Sequence, residues 1–146
     1  MIESIGLVAA LACGLFAGAA VYINLVEHPA RLSCGTELAA RQWAPSYKRA
    51  TVLQVPLALL ATLSGLARWW LGGGSVWLWG AFCILAVIPF TLLVILPTNN
   101  RLLEPGRDLG SDQTRELLQT WGRLHAVRSL LSVAALLLFL VGMKGP

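Results

Sequence analysis

The sequence is poor in charge. Of its 146 residues, 11 are Lys or Arg and 7 are Asp or Glu, so that charged residues make up 12% of the chain. Soluble domains carry about 25%. Hydrophobic residues make up 57%. This balance excludes an ordinary soluble domain and predicts an integral membrane protein.

Cysteine is also scarce. The three cysteines, Cys13, Cys34 and Cys83, are odd in number and form no C-x-x-C pair. This pattern excludes a disulfide framework and a thiolate metal site.

Long stretches without charge occupy most of the chain, and a helix needs about 20 residues to cross a bilayer. The first stretch has no basic residues before it, so we expect a retained span and not a cleaved signal peptide. We predict an all-α bundle of four transmembrane helices in a single domain, 1–146. The expected spans are roughly 4–27, 48–70, 75–98 and 122–143.

The basic residues are distributed unevenly. Most of them lie in two long loops, 28–48 and 99–123, whereas the other side has only Arg68 and Lys144. The positive-inside rule therefore places both loops in the cytoplasm and both termini outside the inner membrane. This asymmetry accounts for the net charge of +4 without a nucleic-acid partner. We also predict a short interfacial helix in each loop, from Thr36 to Trp43 in the first. In the second loop Ser111 is the expected N-cap of a helix that is either separate or continuous with the fourth span.

Several residues predict how the helices end and pack. Pro29 is expected to end the first span, and Gly122 to bend the last one. The pattern Gly14-x-x-x-Gly18 could serve packing within the bundle or a homo-oligomer. Four tryptophans predict an aromatic belt on the outer side, namely Trp69, Trp70, Trp77 and Trp79.

Polar side chains collect at the four helix ends on the predicted cytoplasmic side. The last uncharged run, Ser129 to Met143, covers only about 22 Å at 1.5 Å per residue, which is short of a core of about 30 Å. Arg128 and His125 must therefore lie at the edge of the hydrocarbon, where a charge needs a partner or a water-filled cavity. Glu27 is the expected partner. Snorkelling of these side chains towards the interface is the alternative. The layer comprises Asn24, Glu27, His28, Tyr47, Thr51, Gln54, Asn99, Asn100, Arg101, Trp121, His125 and Arg128.

Four short motifs carry a family resemblance. They are "EHPA" after the first span, "W-x-P-x-Y" in the first loop, "PTNNRL" after the third span and "WGRLHAVRS" entering the fourth. In this order and spacing, the chain resembles the anthrone-oxygenase-like family of small four-helix membrane proteins. The resemblance implies a monooxygenase that turns an anthrone into a quinone in an aromatic polyketide pathway.

That activity assigns roles to the polar layer. Deprotonation of an activated methylene gives an electron-rich enolate that reacts with dioxygen without a cofactor. His125 is the candidate base and Arg128 the candidate stabiliser of the anion, with Glu27 as a third catalytic residue. The substrate-binding candidates are Asn24, Tyr47, Thr51, Gln54, Asn99, Asn100 and Trp121. The expected partners are a hydrophobic aromatic molecule, dioxygen and membrane lipid.

Two other functions use the same residues. Glu27, His28 and His125 contain the ligands of a two-histidine, one-carboxylate site for iron or copper, and the two histidines could ligate haem. Alternatively, the chain is a non-enzymatic membrane protein whose polar layer binds a quinone, a lipid or a partner protein.

Overall fold

Four long helices form the fold in the computed structural model, which describes residues 2–145. They are α1 (Ile2–Ser33), α2 (Thr36–Gly73), α3 (Ser75–Leu102) and α4 (Asp112–Gly142). Each is long and apolar enough to cross a membrane, which indicates an integral membrane protein. The described residues contain no strand. The predicted all-α four-helix bundle is confirmed.

The helices pack in the order in which they occur in the sequence. Each contacts the next, and α4 returns to contact α1, which closes the bundle; α2 and α4 also touch across the diagonal. A tight connection joins α2 to α3, where Gly72 and Gly74 adopt φ values of 90° and 81° that suit glycine. The N-terminal half of α1 therefore lies beside the C-terminal half of α4, and the polar residues converge at the other end.

The predicted interfacial helix in the first loop is wrong as a separate element. Helix α2 runs without a break from Thr36 to Arg68, through Pro45 and Pro56. Each proline removes one backbone hydrogen bond, but Ala40 and Trp43 are buried against the rest of the bundle and hold the extension in place. The helix that precedes the fourth span is the first part of α4, which is the continuous one of the two arrangements expected for it.

A π-helical turn carries α1 past Pro29, so the expectation that the helix ends there is wrong. In this turn, Ile23–Glu27, the N–H of His28 donates to the carbonyl of Ile23, five residues earlier. The wider turn absorbs the register change that a proline imposes, and the helix continues to Ser33. Helix α3 has the same arrangement, with a π turn at Thr91–Ile95 before Pro97. Turns of this kind occur frequently at functional sites.

Two apolar clusters lie at opposite ends of the bundle. The cluster at the end with Phe139, called the outer cluster here as a label only, includes Phe16, Ile84 and Phe139. The cluster at the end with Trp121, called the inner cluster, includes Trp43 and Trp121. Trp77 was expected in an exposed belt, but it is 1% exposed and stacks on Phe139 with ring centroids 5.5 Å apart. The other three belt tryptophans are exposed. Most of the buried polar side chains lie between the two clusters or beside the inner one.

Close packing around Phe139 gives a prediction about stability. A Cβ atom on Gly80 would lie 2.6 Å from Cε1 of Phe139, whereas one on Gly18 would meet no atom within 4 Å. We expect Gly80→Ala to destabilise the fold by about 1–3 kcal/mol through overpacking. The matched control Gly18→Ala should leave thermal unfolding in detergent unchanged or slightly improved. An equal loss in both variants would contradict this packing.

Candidate active site

The centre of the site is a hydrogen-bond chain between α1 and α4. Asn24, in the π turn of α1, donates from Nδ2 to the carbonyl of Gly122 over 2.9 Å. A carbonyl can only accept, so this bond fixes the orientation of the amide. Its Oδ1 then faces Nδ1 of His125 at 2.6 Å and accepts from the hydroxyl of Ser129 at 2.6 Å.

These hydrogen bonds to Asn24 determine the tautomer of His125. Because Oδ1 of Asn24 can only accept, Nδ1 of His125 carries the hydrogen, and in the neutral ring Nε2 has a free lone pair. Nε2 has no hydrogen-bond partner in residues 2–145, and the imidazole lines a cavity. The residue is 2% exposed. The arrangement therefore presents a proton acceptor that is shielded from bulk solvent.

Arg128 lies one helical turn from His125 and lines the same cavity. One Nη donates to Oε1 of Gln54 over 2.7 Å, and the guanidinium lies 5.6 Å from the ring centroid of Phe16. Both of these partners are uncharged. No carboxylate forms a salt bridge with Arg128 within the described part of the chain. The site thus holds a cation that has no paired anion among residues 2–145.

Glu27 was expected to pair with Arg128, and that expectation is wrong. Its carboxylate instead forms a salt bridge with Arg31, one turn along α1. It also accepts from Ser46 over 2.9 Å and from Gln42 over 3.0 Å, both on α2. Since α1 continues beyond Pro29, the four-residue spacing of Glu27 and Arg31 places them on one helix face. Glu27 therefore ties α1 to α2 at the side of the site.

Arg31 is the main residue that the sequence analysis missed. It had been assigned to a basic loop, but its side chain is 5% exposed and lines the cavity with His125 and Arg128. The i, i+4 spacing from Glu27 was a signal, but it is meaningful only if the helix extends that far. Ser129 and Phe16 were also missed, because nothing local marks them.

Aromatic rings build the inner wall. Trp121 packs against His125 with centroids 4.8 Å apart and against His28 at 5.0 Å. Trp43 meets Trp121 edge-on at 5.8 Å and stacks flat on Tyr47 at 5.2 Å. Trp121 and Tyr47 therefore lie at the edge of the cavity, and buried aromatic neighbours fix their positions.

His28 joins α1 to α4 from the other side of Trp121. Its Nε2 donates to the carbonyl of Leu118 over 2.9 Å. A Cβ atom on Gly122 would come within 2.7 Å of the His28 ring. Gly122 therefore makes room for this imidazole and does not bend α4, which is continuous from Asp112 to Gly142.

The arrangement does not suit a metal or haem. Residues 2–145 contain no group of three His, Cys, Asp or Glu close enough to hold a metal ion. Each imidazole keeps one nitrogen without a hydrogen-bond partner among the described residues, Nδ1 of His28 and Nε2 of His125, but Glu27, the expected third ligand, forms a salt bridge with Arg31. Trp121 contacts both imidazoles, which leaves no space for a porphyrin between them.

Two adjoining cavities share the polar residues. The inner cavity, of about 20 Å³, is lined by Ile23, Arg31, Ser46, Tyr47, Ala50, Thr51, Gln54, Trp121, His125 and Arg128. The outer cavity, of about 130 Å³, is mostly apolar and is lined by Phe16, Tyr47, Thr51, Gln54, Val55, Ala58, Val87, Ile88, Thr91, Leu92, Leu96 and Arg128. Tyr47, Gln54 and Arg128 are among the residues that line both. The apolar outer cavity therefore leads directly to the polar side chains of the inner cavity.

Two of the remaining candidates, Asn99 and Asn100, lie apart from these cavities. Asn99 is fully buried, and neither of its amide atoms has a hydrogen-bond partner among the described residues. It does not line either cavity, and Asn100 is exposed. Thr51 lines both cavities, although its hydroxyl donates to the carbonyl of Tyr47 over 2.9 Å. A larger depression of about 520 Å³ beside Thr36 and Arg41 contains none of the polar layer.

The fold and site together define a small helical membrane protein with a buried polar pocket. The sequence model described as Anthrone oxygenase matches residues 43–138, and this chain belongs to that family. No solved structure gives a significant match.

Three fungal relatives illustrate the similarity. A Claviceps purpurea protein named Anthrone oxygenase is 28% identical over 152 positions, which cover 94% of this chain and 87% of that protein. Anthrone oxygenase ptaC of Pestalotiopsis fici is 31% identical over 139 positions, covering 81% and 95%. Anthrone oxygenase tpcL of Aspergillus fumigatus is 41% identical over a shorter stretch of 64 positions, covering 40% and 38%.

Proposed function

We propose that this protein is a membrane-embedded oxygenase that converts an anthrone-like polycyclic aromatic into a quinone with dioxygen and without a cofactor. One observation carries the proposal. The free Nε2 of His125 and the unneutralised guanidinium of Arg128 line the same inner cavity. A base beside a fixed cation is what the formation of an enolate requires. Membership of the anthrone oxygenase family supports the same reaction.

The first step is the removal of a proton. The methylene of an anthrone lies between two aromatic rings and is conjugated with the carbonyl across the central ring. Nε2 of His125 accepts one of its protons, and the remaining electron pair spreads onto the carbonyl oxygen. Arg128 stabilises that oxygen, and its fixed position means that little reorganisation is needed. Arg31 supplies a second cation at the cavity wall, although Glu27 offsets its charge.

The enolate then supplies the electrons for oxygen chemistry. It passes one electron to dioxygen, and the resulting radical and superoxide combine into a carbon-bound peroxide, which takes the proton from the imidazolium. His125 removes the second proton from this carbon, the O–O bond breaks, and the departing oxygen leaves as water. One methylene and one dioxygen thus become one carbonyl and one water. The substrate itself reduces the oxygen, which is why no resident metal is needed.

The walls suit flat rings. The exposed face of Tyr47 and the apolar side chains of Phe16, Ala58 and Val87 border the outer cavity. Its volume of about 130 Å³ is below the roughly 300 Å³ at which ligand pockets begin. A three-ring substrate must therefore widen this cavity or extend from its opening. Residence in the bilayer also suits a substrate that dissolves in lipid.

The direct test is turnover by purified protein in liposomes. With emodin anthrone as the probe, we expect one dioxygen consumed for each emodin formed, at a rate above the spontaneous oxidation in empty liposomes. With ¹⁸O₂, one labelled atom should appear in the quinone and the other in water. Consumption no faster than in empty liposomes would contradict the proposed function. Activity lost to a chelator and restored by iron or copper would contradict the absence of a cofactor.

A further inference from the structure

The outer cavity opens sideways, between α2 and α3. Its opening, called the mouth here, is bordered by Thr51 and Val55 on α2 and by Leu92 on α3. Val55 is 45% exposed and Leu92 is 56% exposed, although both line the cavity. At the other end the cavity meets Gln54 and Arg128. The space is therefore open on the flank of the bundle and bounded by polar groups at its inner end.

The mouth lies within uncharged parts of both helices. No charged residue occurs in 50–67 or in 69–100. Leu92 is nine residues from Arg101 and Val55 is six residues from Arg49, distances of about 14 Å and about 9 Å along a helix at 1.5 Å per residue. Thr51 marks the end of the mouth nearest to the charged residues. If α2 and α3 cross a bilayer, the mouth faces hydrocarbon and not water.

The two walls of the mouth are weakened helices. Pro56 follows Val55 in α2, and Pro89 follows Ile88 in α3, so each wall lacks a backbone hydrogen bond beside the mouth. The π turn of Thr91–Ile95 also contains Leu92. From this turn onwards α3 packs mainly against α4 and has few contacts with α2. The gap can therefore widen without breaking the bundle.

We propose that this gap is the lateral entrance of the site, through which neutral, flat polycyclic molecules pass from the bilayer to His125 and Arg128. Val55 and Leu92 form its gate. The inference rests on the proposed function for the identity of the substrate. It also accounts for the small volume of the outer cavity, because a gate that closes behind the substrate has to open for each exchange.

The test compares two neighbouring leucines of α3. Leu92 lines the mouth, whereas Leu93 is 76% exposed and lines neither cavity. In liposome-reconstituted protein, stopped-flow fluorescence of emodin measures association and dissociation. We expect Leu92→Trp to slow both rates by about 10-fold while Kd changes less than about twofold, because a gate alters passage more than binding. Leu93→Trp should keep wild-type rates.

A second variant keeps the test decisive if the bulky one fails to fold. Leu92→Ala should speed both rates by a few fold, and Leu93→Ala should not. Rates that are equal in the Leu92 and Leu93 variants would overturn the entrance. If wild-type protein shows these gated rates with emodin yet oxidises no anthrone, the proposed function fails while the entrance is supported.

Discussion

His125→Ala lowers the kcat for anthrone oxidation by about 10²–10⁴-fold, which is the usual contribution of a positioned general base. The physical reason is that Nε2 of His125 is the free proton acceptor of the inner cavity, and alanine offers none. We expect a much smaller change in KM, because the rings rest mainly on the walls of the outer cavity. The measurement is emodin formation in liposomes, corrected for spontaneous oxidation.

Chemical rescue separates a base from a structural residue. The substitution leaves a space beside Trp121, and Asn24 keeps its hydrogen bond from Ser129. Added imidazole should therefore restore part of the lost turnover, with a dependence on its concentration that saturates. Trp69→Ala, on an exposed side chain at the opposite end of the bundle, should change nothing. Wild-type turnover in His125→Ala would remove this residue from the mechanism.

The fold could be predicted from the sequence because its signals are local. The length of an uncharged run alone shows whether it can cross a bilayer. Four such runs therefore predict four helices, without any knowledge of how the helices pack against one another. The same length argument placed His125 and Arg128 at the edge of the hydrocarbon. In the structure they line the inner cavity together with Tyr47, Gln54 and Trp121.

The pairing of the polar groups could not be predicted in the same way. It depends on how far each helix is rotated and shifted against its neighbour, and here the packing of His28 onto Gly122 sets that relation between α1 and α4. Proline suggested a helix end after His28, and nothing local predicted the π turn that carries the helix onward. The sequence therefore predicted a loop at Arg31, and it predicted a salt bridge between Glu27 and Arg128 in place of the observed one between Glu27 and Arg31.

The role of Asn24 likewise emerged only in three dimensions. Its amide forms hydrogen bonds with Gly122, His125 and Ser129, from 98 to 105 residues away in the sequence. The sequence predicts Asn24 among the residues that bind the substrate. The geometry favours a positioning residue, which sets the tautomer of the proposed base.

The unneutralised charge of Arg128 leads to the second large effect. We expect Arg128→Met to lower kcat/KM by about 10²–10³-fold, the usual cost of removing a donor aimed at a developing oxyanion. Arg128→Lys should retain part of the activity, because it keeps the charge but loses the planar fork that meets Gln54. The matched control is Arg123→Met, which removes an exposed arginine from the same helix and should not affect turnover.

Replacing Arg128 by methionine should lower the activity without lowering the thermal stability. A partly buried cation without a counter-ion costs free energy, so replacing Arg128 by methionine removes that cost while Gln54 loses one partner. We expect the thermal midpoint of Arg128→Met in detergent to stay at the wild-type value or rise. An arginine that merely snorkels or braces the bundle would behave in the opposite way, with lower stability and full turnover. Under the proposed function the enolate supplies the missing negative charge, so that the loss of Arg128 should reduce turnover and not stability, and this pair of measurements tests that expectation directly.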